Sequence, residues 1–347
     1  MACSRDGEYQ LALGLGKYVN RNVMDAYAGL SRGVEQWTVR ASRALSPDLT
    51  TTSVGPIHYE IVEPLRRIRF ALEPNGEMPL SFEWIFEGAV PPALEEHEVH
   101  TSRDGHRIDA DIVRFHHIGT ASGWFELDGE RHEIDNSHWV STRDRSWGVR
   151  YMVGAPVTGV EPTPTPDEYA GYTFWFPSFC REPDGSVHGR HIYYQRHAVG
   201  QWRRMSVQGG IEHADGRREP FAAVIPDLKF DDGNRRLLGG TIRVVMANGD
   251  ERTVTVQPLG DTGFHLGAGL YFGLDDHWHG EWRGPLHVEG EYTPDCSDIA
   301  AARRLHQLRD CVVAITDDTG VEGIGNLQSL VTGPHPDIGL TAAASFS

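Results

Sequence analysis

Lysine is nearly absent, arginine carries most of the positive charge, and positive charge as a whole is in deficit: 32 basic residues face 49 acidic ones, for a formal net charge of −17. Such a balance repels a polyphosphate backbone, so nucleic acid is not an expected partner. Several arginines alternate with aromatic residues, as in Gln201-Trp202-Arg203-Arg204, a pattern of stacked or ion-paired arginine on strands. Cysteine is scarce too. Its four positions, Cys3, Cys180, Cys296 and Cys311, form no C-x-x-C pair, which argues against a disulfide framework or a cysteine zinc site and fits reduced thiols in a cytoplasmic protein. No apolar run is long enough to cross a bilayer as a helix, and residues 1–6 lack the basic segment and apolar stretch of a secretory signal.

Nucleotide motifs are missing as well. The run Gly267-Ala-Gly-Leu-Tyr-Phe-Gly273 is one residue too long for the dinucleotide fingerprint and has no βαβ pattern around it, and no Walker-type phosphate loop occurs. Around Ser122 the spacing Gly119-Thr-Ala-Ser-Gly123 is not that of a hydrolase nucleophile elbow. No cofactor is expected.

What the sequence does contain is alternation and turns. Residues 7–45 place Leu11, Leu15, Tyr18, Val23, Tyr27, Leu30, Val34 and Trp37 near helical spacing, which predicts a helical N-terminal segment over 1–50. From Val54 onward, short runs such as Ile57-His-Tyr-Glu-Ile-Val62 and Leu80-Ser-Phe-Glu-Trp-Ile-Phe86 alternate sides as half-buried strands do. Asp-Gly or Asn-Gly pairs at 104, 128, 184, 215, 232 and 248 sit between apolar segments and supply the positive dihedrals of tight hairpins. A meandering antiparallel sheet follows. Glu161-Pro-Thr-Pro-Thr-Pro-Asp167 cannot join a ladder and marks a boundary, giving β domains at 51–165 and 166–347. One late helix is expected at 298–308.

One segment combines a hairpin with charge, indole and glycine: Gly123-Trp-Phe-Glu-Leu-Asp-Gly-Glu-Arg-His-Glu-Ile-Asp135, followed by Arg143-Asp-Arg-Ser-Trp-Gly-Val-Arg150. It resembles the signature of the AttH-like, carotenoid 1,2-hydratase-like (hydroxyneurosporene synthase-like) superfamily, which carries Asp-His-x-Trp-Gly after such a hairpin and has tocopherol cyclase-like and Diels-Alderase-type relatives. Val54-Gly-Pro-Ile-His-Tyr-Glu-Ile-Val-Glu-Pro-Leu65, Tyr172-Thr-Phe-Trp-Phe176 and Gly323-Ile-Gly-Asn-Leu-Gln328 extend the likeness, which is to the superfamily's uncharacterised bacterial branch. Arg145 stands where the common pattern has His, and Gln328 where it ends in Glu. The resemblance implies two lipocalin-like antiparallel β-barrel units and a hydrophobic small-molecule ligand.

Strand alternation puts Arg143, Arg145 and Trp147 on one face and Asp144 on the other. An Asp between arginines suits proton handling or donor orientation in a cavity, and equally an ion-paired corner tying two barrels together. His277-Trp278-His279, with Trp282 nearby, offers two imidazoles two residues apart. Glu281 arrives too soon for a cupin metal site, so His277 and His279 are read as proton carriers at a barrel mouth and no metal is assigned. His116, His117, His188, His191 and His197 show no ligand rhythm and read as surface or satisfied core residues. Of the pair Tyr193-Tyr194, whichever looks inward can donate to a ligand, and Tyr194 is taken as that one.

Two functions stay open. One, which the resemblance implies, is a cofactor-independent hydratase, dehydratase, isomerase or cyclase on a terpenoid, steroid or similar substrate, in which Asp144, His277 and His279 would move protons and Arg143, Arg145, Trp147, Tyr194, Trp278, Trp282 and Gln328 would hold the ligand. The other is a carrier for a hydrophobic metabolite.

Overall fold

Alternation, not helical spacing, organises the first fifty residues. In the computed structural model, which describes residues 1–101, 106–150, 152–159 and 169–341, this stretch is four strands: β1 (Ala2–Ser4), β2 (Tyr9–Tyr18), β3 (Val23–Arg32) and β4 (Glu35–Ala44). The predicted helical N-terminal segment is therefore corrected. Leu11 and Leu13 point into a core while Ala12, Gly14 and Gly16 face the other way. An i, i+4 apolar pair satisfies period two as well as period 3.6, and two glycines in one turn would weaken a helix.

The strands continue with β5 (Ser53–Val54), β6 (Ile57–Glu63), β7 (Arg67–Leu72), β8 (Leu80–Gly88), β9 (Ala93–Leu94), β10 (Glu98–Thr101), β11 (Ile108–Leu127), β12 (Glu130–Ile134) and β13 (Trp139–Val149). After them come β14 (Ala170–Arg181), β15 (Val187–Val199), β16 (Trp202–His213), β17 (Arg218–Phe230), β18 (Leu237–Met246), β19 (Glu251–His265) and β20 (Leu286–Thr293). A short helix α1 (Ile299–Arg304) falls inside the expected 298–308, with Asp298 accepting from the Ala300 and Ala301 amides, and β21 (Arg309–Asp317) and β22 (Glu322–Thr332) close the chain.

These elements form two antiparallel units, and the fold is all-β and lipocalin-like. The first sheet runs β20-β4-β3-β2-β1-β13-β11-β8-β7-β6-β5, with β9, β10 and β12 added along β11. It curls until its ends meet: a Cβ on Gly55, at the β5–β6 turn, would lie 3.0 Å from Val288 of β20. The second is a closed barrel, β14-β15-β16-β17-β18-β19-β21-β22. Asp128 and Gly129 have the positive φ values (52° and 81°) that a two-residue hairpin needs, and Gly185, Gly216 and Gly249 turn later hairpins. Asp104-Gly105 and the proline run at 161–167 lie outside the described residues. The first sheet begins at Ala2 and takes its edge strand β20 from the second half, so the two units share chain.

Both interiors are filled by side chains. Leu11, Met24, Trp37, Phe70, Phe82, Trp84, Phe86 and Phe125 pack the first. Tyr172, Phe174, Phe176, Ile192, Tyr194 and Leu327 pack the barrel. Between the units lies a smaller apolar layer of Cys3, Val90, Ile118, Val140, Phe179, Val312 and Ile324. Among the described residues no helix is long and apolar enough to cross a membrane.

Trp84 stacks on Phe70 with ring centroids 4.7 Å apart and is fully buried. Trp84→Ala is expected to lower unfolding free energy by about 3–5 kcal/mol, the usual result of emptying an aromatic core position, with an unchanged denaturant slope in urea melts.

Candidate functional site

The two faces of β13 look into different places. Arg143 is buried on the first unit's side, donating from Nη1 to the Tyr59 hydroxyl (2.7 Å) and lying over Phe86 and Phe115. Arg145 and half-exposed Trp147 continue that face, Trp147 tilted against Phe115. Val140, Thr142 and Asp144 face the barrel instead. Val140 belongs to the layer between the units, and Thr142 Oγ1 donates to Asn326 Oδ1 of β22 (2.5 Å). Asp144 stands opposite His116 in the β11–β13 register, and its carboxylate is 48% exposed, so solvent reaches it at the seam.

Around Asp144 the seam is densely charged. Arg114 Nε lies 3.8 Å from Asp144 Oδ2, while its Nη1 donates to Glu95 Oε2 at 3.1 Å and its Nη2 to Glu98 Oε2 at 3.5 Å. Glu95, just after β9, also accepts from the Trp175 indole (Nε1 to Oε1, 3.0 Å) across the seam. The same oxygen is 3.2 Å from His116 Nδ1 and 3.4 Å from His191 Nε2. Burial works to raise the Glu95 carboxyl, but His191, His116 and Arg114 hold it well below the usual range. Burial likewise opposes charge on His116, yet Glu212 Oε1 at its Nε2 (3.0 Å) and Glu95 at its Nδ1 raise it. His191, stacked on His116 with centroids 3.7 Å apart, is pushed well below its ordinary value by burial and by its neighbour's charge. Glu98 completes the group, accepting from Gln195 Nε2 and the Tyr193 hydroxyl.

A second acid lies on the barrel side. Asp310 of β21 is buried, and both its oxygens accept from Asn326 Nδ2 (2.8 and 3.0 Å). Burial lifts it to about 6, against the lowering by the Asn326 hydrogen bonds, and the Asp144 charge adds to the rise. Gln328 is the cross-strand neighbour of both Asp310 and Trp175, on the outward face of β22 with Ile324, Asn326 and Leu330.

Next to these acids the seam turns aromatic. Tyr27 packs with Phe264, Leu266 and Leu308, and Tyr271, Phe272 and Leu330 lie partly buried against them. Tyr27 reaches this place because glycines give way on both sides: a Cβ on Gly14 would come within 2.3 Å of its ring and one on Gly269 within 2.8 Å. Burial holds the Tyr27 hydroxyl well above its ordinary value, and the Asp144 and Asp310 charges add to that. Arg150 sits over Tyr271 at 5.8 Å.

His277 and His279 do not share a strand face; they lie in the irregular stretch between β19 and β20. His279 Nδ1 is 3.3 Å from Asp25 Oδ1 and its ring meets Tyr271 edge-on at 4.9 Å, which places it at the far end of the aromatic wall. His277 pairs with Glu281 (3.0 Å). Trp278 lines a cleft of only about 10 Å³ with Asp25, Arg40, Leu270 and His287, and Trp282 is exposed. Tyr194 is the core member of its pair, stacked on Phe174, and Tyr193 is the one that meets the seam. Sequence reading missed Glu95, Arg114, His116, His191, Asp310 and Tyr27. The period-two alternation of β11 carried a signal for one face shared by Arg114, His116 and Ile118, but nothing local linked that face to the barrel.

A family model described as a family of unknown function (DUF8625) matches residues 1–341. No curated protein matches the sequence. Solved structures similar in fold include kievitone hydratase from Nectria haematococca, at 11% identity and a TM-score of 0.46 over 93% of this chain and 88% of that one, and a putative AttH from Nitrosomonas europaea, at 12% identity and a TM-score of 0.48 over 93% and 91%.

The Asp310 shift sets a pH dependence. From its ordinary value of 3.8 up to about 6, the folded chain holds a proton that the unfolded chain has released, so stability falls as pH rises through that window. Asp310→Asn is expected to gain stability over the parent as pH rises through that window, with the difference smallest toward about pH 4. Urea melts at the two ends of the window check this; a pH-independent difference would refute it.

Proposed function

The chain belongs to that family of unknown function, and from its own residues we propose that it is an acid–base enzyme of the lyase or isomerase type, acting on a lipophilic small molecule at the seam between its two β units. One observation carries the reading: a solvent-reachable carboxylate, Asp144, lies beside Arg114 and within electrostatic reach of a buried acid, Asp310, that titrates near 6. Two acids in such different environments divide into proton donor and proton acceptor. The adjoining wall of Tyr27, Tyr271, Phe272 and Leu330 suits an apolar substrate, and the tyrosine faces suit a carbon centre that becomes positive.

For a hydration, the protonated acid gives its proton to one carbon of a double bond, and water adds to the other carbon while Asp144 takes the proton water loses. Dehydration is the reverse. Isomerisation and cyclisation use the same donor and acceptor without water. His279, held by Asp25, is a second proton carrier at the end of the aromatic wall. A terpenoid or steroid substrate rests on the resemblance of the Arg143–Arg150 segment. The carrier reading gains less support, because the apolar interiors of both units are occupied by their own side chains.

The test begins with organic extraction of the purified protein and mass spectrometry of what it carries, followed by incubation of that compound with fresh protein in ¹⁸O-water. A hydratase raises the product mass by one labelled water, an isomerase or cyclase changes retention at constant mass, and a carrier returns the compound unaltered. Asp144→Ala is expected to slow conversion by about 10²–10⁴-fold with binding retained. Conversion at the parental rate in that variant would remove Asp144 from the chemistry.

A further inference from the structure

Glu95, His116 and His191 carry a feature that the acid–base reading does not use. Glu95 Oε1, His116 Nδ1 and His191 Nε2 all lie within 4.8 Å of one another, and all three side chains are buried. Ligand atoms each about 2.1 Å from one tetrahedral ion stand roughly 3.4 Å apart. The two nitrogens here lie 3.2 and 3.4 Å from the carboxylate oxygen. We propose that these residues bind a divalent transition-metal ion, Zn²⁺ by ligand type, and that the ion clamps the two β units together.

Three observations support the assignment independently of one another. His191 Nε2 is buried and has no hydrogen-bond partner among the described residues, and it lies 3.4 Å from the shared carboxylate oxygen, so this nitrogen is free to turn a lone pair to an ion. His116 turns its other nitrogen to Glu212 Oε1 at 3.0 Å, the outer carboxylate that commonly orients a metal-bound imidazole. Glu95 keeps its second oxygen on Arg114 and takes the Trp175 indole N–H on the first, so its orientation is fixed from both units. Glu95 and Glu212 are buried here and Glu98 is nearly so, and the cations that meet these three carboxylates are Arg114, Arg218 at 3.7 Å from Glu212, and the histidines. Glu95 and His116 belong to the first unit and His191 to the barrel, so one ion bridges the seam. On binding, the stacked imidazoles splay to aim both lone pairs at one point, His116 gives up its Nδ1 proton, and water takes the fourth position. The mixed nitrogen and oxygen set suits Zn²⁺ better than Ca²⁺ or Mg²⁺.

The test uses the full chain and does not depend on any activity. Protein stripped with a chelator is titrated with ZnSO₄, followed by elemental analysis after gel filtration and by thermal melts. One equivalent retained per chain and a melting point several degrees higher are expected. Glu212→Gln leaves all three ligands in place and is expected to weaken zinc affinity by about 10–100-fold. His191→Ala is expected to retain no zinc and to melt at the same temperature with or without it. Folded, stripped protein that retains no zinc overturns the proposal. Retention that survives both substitutions overturns it too, since the ion then sits elsewhere. Failure of Asp144→Ala to slow catalysis would leave these readouts untouched.

Discussion

A buried carboxylate needs several donors to stay charged, and in this fold Glu95 finds them only where the two β units meet. Arg114 and His116 donate to it from β11 and Trp175 from the barrel, where His191 Nε2 also lies 3.4 Å away. Neither unit alone satisfies it. Removing one partner from such a group typically costs about 3–5 kcal/mol, because the charge left behind stays desolvated. The seam is therefore not two finished barrels in loose contact. It is specified in register, since Trp175 and His191 reach Glu95 only if β14 and β15 lie against β11 at one offset.

Backbone amides impose a second condition on the same docking. At its end β19 lays the amides of Gly263, Phe264 and His265 on the first sheet. They donate to Ser31 Oγ, Gln10 Oε1 and Gln36 Oε1, at 3.1, 2.9 and 2.7 Å, all buried. An amide buried without an acceptor would cost as much as a lost hydrogen bond or more. Three polar residues on β2, β3 and β4 thus hold one barrel strand in place, and Phe264 reaches the Tyr27 ring as a consequence. The chain then crosses back to lay β20 on β4, where Arg40 pairs with Glu289 and Glu291. Aromatic wall and acid cluster are neighbours because the same docking builds both.

Sequence legibility followed the range of the forces involved. Hairpins were readable at Asp128-Gly129 and Asp184-Gly185, because a positive φ is a local demand that glycine meets by itself. Strand faces were readable at Arg143 and Asp144, where alternation decides orientation within a few residues. The N-terminal strands were not, since Leu11, Leu15 and Tyr18 fit two periods at once and only Gly14 and Gly16 between them spoke for the strand. The cluster at Glu95 was out of reach: its members come from a loop, β11 and β15, and their meeting depends on the docking of two sheets. His116 and His191 read singly as surface or satisfied core histidines; His116 is bonded at both nitrogens, whereas His191 Nε2 has no hydrogen-bond partner among the described residues.

Arg145 and Gln328, the two positions at which the sequence departs from the pattern it resembles, lie on different units of the fold. Arg145 lies on the β13 face shared with Arg143 and Trp147, away from Asp144 and the seam. Gln328 is different, for it sits on the seam face of β22 between Asn326 and Leu330. The strand pairing sets Asp310 directly across from Gln328. Cross-strand neighbours on one face stand about 5 Å apart. Asp310 is buried, and burial is what lifts it to about 6. Asp310 therefore keeps its proton to higher pH than a solvent-exposed acid would, on the barrel side of the seam from Asp144.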